Sequence, residues 1–289
     1  MKELQRKTGC SAKQISDFLH EQDVYTKHKP LYYRFKRRRI YVSHTDDQWQ
    51  ADLIDMKSFK HYNNKIPYIL TVIDIFSKYA WALPIRKKTG TEITQAFQSI
   101  FAKRKPEKIQ TDKGTEFINK ETQKLFSDHH IHWFTTENVE IKCAVVERFN
   151  RTLKGRMWKY FTANDTKRWV DVLPQLIKNY NHSYHRSIGM TPVEASLKEN
   201  QMEVHNRLFQ KKQVGKPAFK LNDRVRISKY KTPFKKGYLP TFTEEIFFIS
   251  QILKTDPVTY RIKDEDGEEI VGTFYKEELV KVKHESKKN

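Results

Sequence analysis

The chain has 289 residues, of which 37% are hydrophobic and 13% aromatic, so it has enough apolar material for two or three small domains and is not predicted to be disordered. Its 55 lysines and arginines outnumber its 35 aspartates and glutamates, and the formal charge of +20 favours nucleic acid as the partner. A ribosomal or chromatin-coating protein that binds by charge alone is the simpler alternative, and an anionic membrane surface is a weaker one. No run of about eighteen apolar residues exists, so no bilayer-spanning segment is predicted. The polar N-terminus does not have the pattern of a secretory signal.

Cysteine usage indicates a reducing compartment. Cys10 and Cys143 lie far apart in the sequence and form no disulfide framework. His20 and His28 lie near Cys10, but three scattered candidates do not make the closed tetrahedral site that structural zinc requires.

Residues 1–45 are predicted to form an N-terminal helical segment followed by a basic arm. Ser11 is the expected N-cap of a helix whose apolar face includes Ile15. The arm, KHKPLYYRFKRRR, contains no acid and interleaves cations with aromatic residues, a composition suited to a nucleic-acid backbone. A solvated charged arm is the alternative, and the cluster 36–39 also resembles a nuclear-import signal. The predicted DNA contacts in the arm are Arg34, Lys36, Arg37, Arg38 and Arg39.

Residues 46–197 are predicted to form an α/β domain with a mixed sheet. WQADLIDM, IPYILTVIDIF and YAWALPI have the composition of strands, and Asn63-Asn64 is typical of a hairpin turn between the first two. An amphipathic helix is expected over 90–104, a strand at KIQTD, a helix at NKETQKLFSDHH and a strand at IHWFTT. Two further helices are expected over about 144–162 and 166–181.

The remaining residues are predicted to form a linker and a small all-β domain. Residues 198–216 are polar and indicate a helix end and then a linker. Short strands about ten residues apart follow, and Asp266-Gly267 between two of them indicates a hairpin. We therefore expect a small all-β barrel or curled sheet over 217–283 and a basic tail over 284–289.

Three acids lie where element ends could bring them together. Asp52 is within the first strand, Asp112 follows the strand KIQT and precedes Gly114, and Glu147 lies on the long helix. Gly114 is expected to permit the sharp turn that exposes Asp112. Carboxylate oxygens are the natural ligands of Mg²⁺, and two such ions about 3.5–4 Å apart promote phosphoryl transfer.

The long helix is predicted to have one apolar and one polar stripe. Five residues recur at helical spacing as the buried stripe: Val146, Phe149, Leu153, Met157 and Tyr160. The exposed stripe would carry Glu147 with three predicted DNA contacts, Asn150, Arg151 and Lys154, and Lys113 beside the second acid is a fourth. The alternative is that Glu147 and Arg151 form an ordinary surface ion pair.

These motifs together resemble a known family. WQADLIDM, QTDKGTEF and KCAVVERFNRTLK, in this order, resemble the core of retroviral-type integrases and related DDE transposases, and the match looks closest to integrases of Polinton (Maverick) elements and their domesticated relatives. The resemblance extends over about 24–282 and includes NYNHSYHRSIGMTPVEA and NDRVRISK. The spacing between the second and third acids is one residue shorter than is usual in the family. The paired His and paired Cys of the zinc domain found at the N-terminus of many integrases have no counterpart here.

The resemblance implies an RNase H-like core in which Asp52, Asp112 and Glu147 are catalytic and bind two Mg²⁺ or Mn²⁺ ions. It implies 3′-end processing of DNA followed by strand transfer into a target, in the nucleus. The implied partners are double-stranded DNA, both element ends and target, and further copies of the chain in a dimer or tetramer.

The C-terminal domain resembles the SH3-like, chromodomain-like barrel of integrases. The resemblance implies that its basic residues follow the DNA backbone, namely Lys229, Lys231, Lys235 and Lys236. Five aromatics could form a methyl-lysine cage for a chromatin contact, although a core role is the favoured interpretation: Tyr238, Phe242, Phe247, Phe274 and Tyr275.

Two rival functions stay open on the sequence. The chain could be a domesticated DNA-binding or chromatin protein that keeps the fold without the chemistry. It could also be another nuclease of the RNase H fold, although the C-terminal domain and the GMTPVEA segment argue against this.

Overall fold

The structure, a computed structural model, describes residues 2–32, 35–135, 143–209, 215–229 and 238–283. The chain divides into two compact units. The core unit comprises residues 40–210, and the terminal unit combines residues 1–39 with residues 211–289. The N-terminal segment therefore groups with the C-terminal sheet, whereas the sequence analysis treats the two as separate regions. Within the described ranges, no helix is both long and apolar enough to cross a membrane.

Three short helices open the chain: α1 (Lys2–Thr8), α2 (Ala12–Glu21) and α3 (Asp23–Lys27). The predicted N-cap of α2 is confirmed, because the Ser11 hydroxyl accepts a hydrogen bond from the Gln14 amide at 3.3 Å. The Gln14 side chain in turn accepts from the Ser11 amide at 2.9 Å, which completes a capping box.

The core unit is built on a five-stranded mixed sheet, as the sequence predicts. Its strands are β1 (Gln48–Asp55), β2 (Tyr68–Asp74), β3 (Ala80–Ile85), β4 (Lys108–Thr111) and β5 (His132–Thr135). The spatial order is β3-β2-β1-β4-β5. The pairs β1–β2 and β2–β3 are antiparallel, whereas β1–β4 and β4–β5 are parallel. The parallel pairs place the ends of β1 and β4 at one edge of the sheet.

Helices cover both faces of this sheet. They are α4 (Gly90–Phe101), α5 (Thr115–Ile118), α6 (Lys120–Asp128), α7 (Ala144–Ala163), α8 (Leu173–Asn181), α9 (Pro192–Ala195) and α10 (Gln201–Phe209). Side chains alternate along β1, so Trp49 and Ala51 pack with α4 and α6, while Ile54 packs with α7 and α8. Asp52 lies on the face that α7 covers, because it differs from Ile54 by two residues.

The connection between β1 and β2 corrects one prediction. A 3-10 helix, Lys57–Tyr62, and not a two-residue hairpin turn, joins the two strands. Asn63 is fully buried, and its side-chain oxygen accepts hydrogen bonds from the amides of Trp169 and Val170 at 2.6 and 3.1 Å. The residue that suggested a local turn therefore makes contacts about one hundred residues away.

The second long helix also begins later than predicted. The expected helix over 166–181 is limited to α8, which starts at Leu173. Pro174 lies in the first turn, where its missing N–H costs no intrahelical hydrogen bond. The preceding amides of Trp169 and Val170 bond instead to Asn63.

Part of the predicted linker is helical. Residues 201–209 form α10, so the prediction of a linker over 198–216 is wrong for this stretch. Val204 and Leu208 are buried in a small cluster with Val42 and Phe76 of the core unit. The sequence pattern has few apolar residues here, and their partners lie far away in the chain.

The terminal unit contains an all-antiparallel sheet of five strands, which confirms the all-β prediction for this region. The strands are β6 (Arg224–Ile227), β7 (Phe247–Leu253), β8 (Thr259–Lys263), β9 (Phe274–Tyr275) and β10 (Leu279–Lys281), in the order β10-β6-β7-β8-β9. The chain reverses at Asp266-Gly267, where Gly267 has φ +88°, but the reversal forms only an isolated bridge between Lys263 and Glu269.

The N-terminal helices pack on this sheet around a buried cation. Arg226 is fully buried on β6 and forms an ion pair with Asp23 of α3. Its guanidinium also donates to the Thr26 hydroxyl at 3.2 Å and to the carbonyls of Thr243, at 2.8 Å, and Glu244. Further bonds join residues 1–39 to this part of the chain, since the Lys27 carbonyl accepts from the amides of Thr241 and Phe242 at 2.8 and 3.1 Å, and Asp17 forms an ion pair with Lys283 at 2.8 Å.

Candidate functional site

Asp52 and Asp112 are brought together by the pairing of two parallel strands. Gln50 of β1 lies opposite Gln110 of β4. Each acid follows its glutamine by two residues, so both reach the same level at the same edge of the sheet. Glu147 lies in the first turn of α7, which packs on this face. Three separated elements therefore present the three predicted acids toward one region.

The surroundings of Asp52 shift the pKa of its carboxyl group. Burial raises the pKa of its carboxyl above the ordinary value, and the nearby charges of Asp112 and Glu147 raise it further. A hydrogen bond from the Leu53 amide and the positive charge of Lys154 act in the opposite direction. The carboxylate also accepts hydrogen bonds at 2.7 Å from the Leu53 amide and from the side-chain amide of Asn150. Burial, and to a smaller extent the two like charges, thus destabilise the ionised form of Asp52.

The turn after β4 is crowded around Asp112. The Gly114 amide donates to the Asp112 carboxylate at 3.1 Å. Gly114 has φ −64°, so it is not needed for a left-handed conformation, contrary to the expected reason for it. A Cβ atom there would come within 2.9 Å of the Asp112 carboxylate and 2.8 Å of the Glu116 carboxyl carbon. A side chain at this position would require both carboxylates to shift, and buried Glu116 is held by an ion pair with Lys88 at 3.2 Å.

The donor set suits a divalent cation, although the carboxylates do not form a closed cage. Among the described residues, no three His, Cys, Asp or Glu side chains are grouped closely enough to hold a metal ion by themselves. The three acids nevertheless supply oxygen ligands of the type that Mg²⁺ and Mn²⁺ prefer. The side-chain oxygen of Asn150 is buried beside Asp52 and has no hydrogen-bond partner in the described structure. The residues present therefore fit a hydrated cation held by a few carboxylates.

The polar stripe of α7 differs from the prediction at one residue. Glu147 and Arg151 are exposed, and Lys154 is half-buried. Asn150 is only 7% exposed, so its predicted place on the exposed stripe is wrong, while its role as a DNA contact stays a prediction. Its amide lies on Asp52, since the helix turns this position toward β1. In the described part of the chain Glu147 makes no ion pair with Arg151, so the alternative of a surface pair receives no support. Lys113 is exposed beside Asp112, as expected.

Comparison with known proteins identifies the core. Residues 42–139 match the integrase core domain family. A transposon-derived protein of Caenorhabditis elegans is 34% identical over 196 residues, which cover 66% of this chain and 65% of the relative. The Gag-Pol polyprotein of walleye dermal sarcoma virus is 28% identical over 161 residues, which cover 52% of this chain and 9% of the polyprotein. This chain thus matches somewhat less than two thirds of the first relative and a small part of the second.

A solved structure shows the same fold over nearly the whole length. A chain of the simian T-cell lymphotropic virus intasome, determined in complex with PP2A regulatory subunit B56 gamma, aligns with a TM-score of 0.63. The alignment covers 97% of this chain and 98% of the viral one at 18% identity. Residues 42–139 therefore carry an integrase core domain. The closer resemblance to Polinton integrases stays a prediction.

Outside the integrase core domain, the predicted DNA contacts of the arm lie among acids and aromatic rings of the terminal unit. Lys36 forms an ion pair with Asp256. Arg37 lies 3.5 Å from Glu278 and stacks over the Phe35 ring at 4.7 Å. Arg38 and Arg39 are exposed. The arm is therefore partly neutralised by its own unit, and Arg34 lies outside the described residues.

The predicted DNA contacts and cage aromatics of the C-terminal sheet differ in burial, and some of these residues lie outside the described ranges. Lys229 is half-buried next to β6, while Lys231, Lys235 and Lys236 lie outside the described residues. Phe242 and Phe247 are buried, which agrees with the favoured core interpretation for these two. The Tyr275 ring contacts Phe35 at 5.3 Å, whereas Tyr238 is 71% exposed.

Proposed function

We propose that this chain is a DNA integrase that performs metal-dependent 3′-end processing and strand transfer. In the first reaction, water breaks a phosphodiester bond near a DNA end and leaves a free 3′-hydroxyl. In the second, this hydroxyl attacks a target phosphodiester, forms a new P–O bond and displaces the target 3′-oxygen. The observation that carries the proposal is the convergence of Asp52, Asp112 and Glu147 on one region, where the charges of the other two raise the pKa of Asp52.

The three carboxylates would hold two divalent cations, Mg²⁺ or Mn²⁺. Bound divalent cations lower the pKa of water and stabilise the charge that develops at a phosphodiester. Asp52 is the most buried of the three acids and lies between the other two elements, so it would serve both ions. Asp112 and Glu147, each exposed, would serve one ion each. Asn150 would fix the orientation of the Asp52 carboxylate through its 2.7 Å hydrogen bond.

Cations near the acids would attract the DNA backbone. Lys154 lies close enough to Asp52 to affect its pKa, and Lys113, next to Asp112 in the sequence, and Arg151, one turn after Glu147, are exposed. Together they give the region both the carboxylates for metal and the positive charge for phosphate. We propose the same role for the cations of the arm and for Lys229, with Lys235 and Lys236 included on the sequence alone.

The wider context of the reaction is also a proposal. The substrates would be element ends and target DNA, and joining two ends at one target would require at least a dimer of this chain. A basic chain that acts on chromosomal DNA would work in the nucleus, and the cluster at 36–39 supports this location. An origin in a Polinton element, and a chromatin contact through the C-terminal sheet, would be consistent with the sequence resemblance.

A strand-joining assay tests the function. Purified full-length protein is mixed with labelled duplex ends and a supercoiled target in Mg²⁺ or Mn²⁺. The wild-type protein should yield joined products, and Asp52→Asn, Asp112→Asn and Glu147→Gln should each abolish them. Glu199→Gln, which removes one exposed carboxylate elsewhere in the core unit, is the matched control and should keep full activity.

DNA binding measured on the same proteins separates the rival functions. Tight binding by a folded wild-type protein with no joining of cognate ends would favour a domesticated DNA-binding protein. Cleavage without joining would favour another nuclease of the RNase H fold.

A further inference from the structure

A single buried glutamine links the three elements that carry the acids. Gln50 of β1 is fully buried on the face covered by α7. Its side-chain amide nitrogen donates to the side-chain oxygen of Gln110 on β4 at 2.8 Å. Its side-chain oxygen accepts hydrogen bonds from the backbone amides of Val145 and Val146, at 3.0 and 3.1 Å. One side chain thus bonds to both neighbouring elements.

The direction of these hydrogen bonds is determined by the backbone. The amides of Val145 and Val146 can only donate, so the Gln50 oxygen must face α7. Its NH₂ group must then face Gln110, which accepts with its side-chain oxygen. Because each group has one role, rotating the Gln50 amide by 180° would break all three bonds.

Each residue of the network precedes one of the acids by one or two positions in the sequence. Gln50 precedes Asp52 by two residues, and Gln110 precedes Asp112 by two. Val145 and Val146 lie immediately before Glu147. A shift of β4 or of the start of α7 would therefore stretch a Gln50 hydrogen bond before it moved an acid far.

The start of α7 needs this support from outside the helix. The first amides of a helix have no intrahelical partner, and the N-cap residue, Cys143, makes no side-chain capping bond. Gln50 satisfies two of these amides from a different element. A buried amide left without its acceptor would cost about 1–3 kcal/mol. The two hydrogen bonds to Gln50 therefore stabilise the packing of the start of α7 against β1.

We infer that Gln50 is a positioning residue that sets the spacing of Asp52, Asp112 and Glu147 for the divalent cation. The inference rests on the proposed function, since it assigns Gln50 a role toward the ion that those acids would hold. Groups hydrogen-bonded directly to metal ligands typically contribute 10- to 100-fold to metal affinity, and Gln50, which acts through the strand and helix that carry the acids, is expected at the lower end of this range.

Gln48 offers a matched control on the same strand and the same face. It is 8% exposed and donates to the same Gln110 oxygen at 3.1 Å. In the described structure it makes no hydrogen bond to α7. Gln48→Met therefore removes a buried hydrogen bond of the same kind without releasing the helix, whereas Gln50→Met removes the links to β4 and α7 together.

The test measures Mn²⁺ affinity of the full chain by electron paramagnetic resonance, together with hydrogen exchange at the Val145 and Val146 amides. Gln50→Met should lower Mn²⁺ affinity by about 10-fold and speed exchange at both amides. Gln48→Met should change neither by more than about 2-fold. Gln50→Glu, whose carboxylate still accepts from α7, should restore slow exchange. If Gln50→Met unfolds the core unit, Gln110→Met, which releases β4 alone, should still lower Mn²⁺ affinity.

Two results would overturn the inference without affecting the proposed function. One is wild-type Mn²⁺ affinity in Gln50→Met, and the other is an equal loss in Gln48→Met, which would indicate a general packing effect. The proposed metal site itself is tested by Asp52→Asn in the same titration. Equal Mn²⁺ binding by Asp52→Asn and the wild type would contradict the site, and the positioning role would fall with it.

Discussion

Replacing Asn63 by alanine should strongly destabilise the core unit. The Asn63 side chain is fully buried and makes four hydrogen bonds to backbone groups. It donates to the carbonyls of Phe59 at 2.7 Å and Lys167 at 3.0 Å, and it accepts from the amides of Trp169 and Val170. It thereby fastens the β1–β2 connection to the segment before α8.

The expected loss in the free energy of unfolding follows from the backbone groups that Asn63→Ala leaves without a hydrogen-bond partner. Each of these hydrogen bonds contributes about 1 kcal/mol net, and a buried amide without a partner costs about 1–3 kcal/mol. Partial access of water to the carbonyls reduces the sum, so we expect a loss of about 3–4 kcal/mol in the free energy of unfolding. With a urea slope of about 2 kcal/mol per molar, the midpoint should fall by about 1.5–2 M.

Tryptophan fluorescence during urea unfolding measures this loss in the core unit alone, because all five tryptophans lie within residues 40–210. Asn179→Ala is the control, since Asn179 is exposed on α8 and accepts one side-chain hydrogen bond from Gln175. The control should remain within about 0.5 kcal/mol of the wild type. A loss below about 1 kcal/mol for Asn63→Ala would refute the reasoning.

Three further predictions concern other residues. Arg226→Met should lower the stability of the terminal unit by about 2–3 kcal/mol, seen as faster hydrogen exchange in β6, because it removes the ion pair with the half-exposed Asp23 and leaves the buried Thr26 hydroxyl without this partner; unchanged exchange would contradict this. Burial, with the charges of Lys78 and Arg148, lowers the pKa of His185 to about 4 from 6.5. The unfolded chain therefore binds this proton more readily, and stability should fall as pH decreases from about 6.5 to about 4, by about 1–2 kcal/mol after allowance for solvent screening. His185→Gln should flatten that part of the pH profile, and an unaltered profile would count against the assignment. Lys154→Ala should reduce the salt dependence of DNA binding by about one unit of slope, and an identical slope would show that Lys154 contacts no phosphate.

Local patterns predicted much of the core unit. The apolar stripe of α7 was readable because Val146, Phe149, Leu153 and Met157 recur at the helical period, and all four are buried. The strands were readable as short runs rich in β-branched and aromatic residues. The polar face of α7 was harder to predict, because periodicity does not show which polar residue turns inward. Asn150 is the one that turns inward, where its side-chain amide donates to Asp52.

The errors arose where one side chain serves a distant segment. Asn63 has the composition of a turn, but its hydrogen bonds go to residues around 167–170. Gln50 gave no signal at all, since a glutamine in a strand has no motif and its partners, Gln110 and the start of α7, are known only from the folded chain. The grouping of residues 1–39 with the C-terminal sheet likewise depends on Arg226, whose ion pair with Asp23 joins opposite ends of the sequence.

The most direct measurement for the central claim is the Mn²⁺ binding isotherm of four proteins without DNA. They are the wild type, Asp112→Asn, Glu147→Gln and the control Glu199→Gln. The account predicts saturable binding in the wild type and the control, and binding weakened by at least about 10-fold in the two variants of the proposed site. Identical isotherms for all four proteins would show that these carboxylates do not hold the ion.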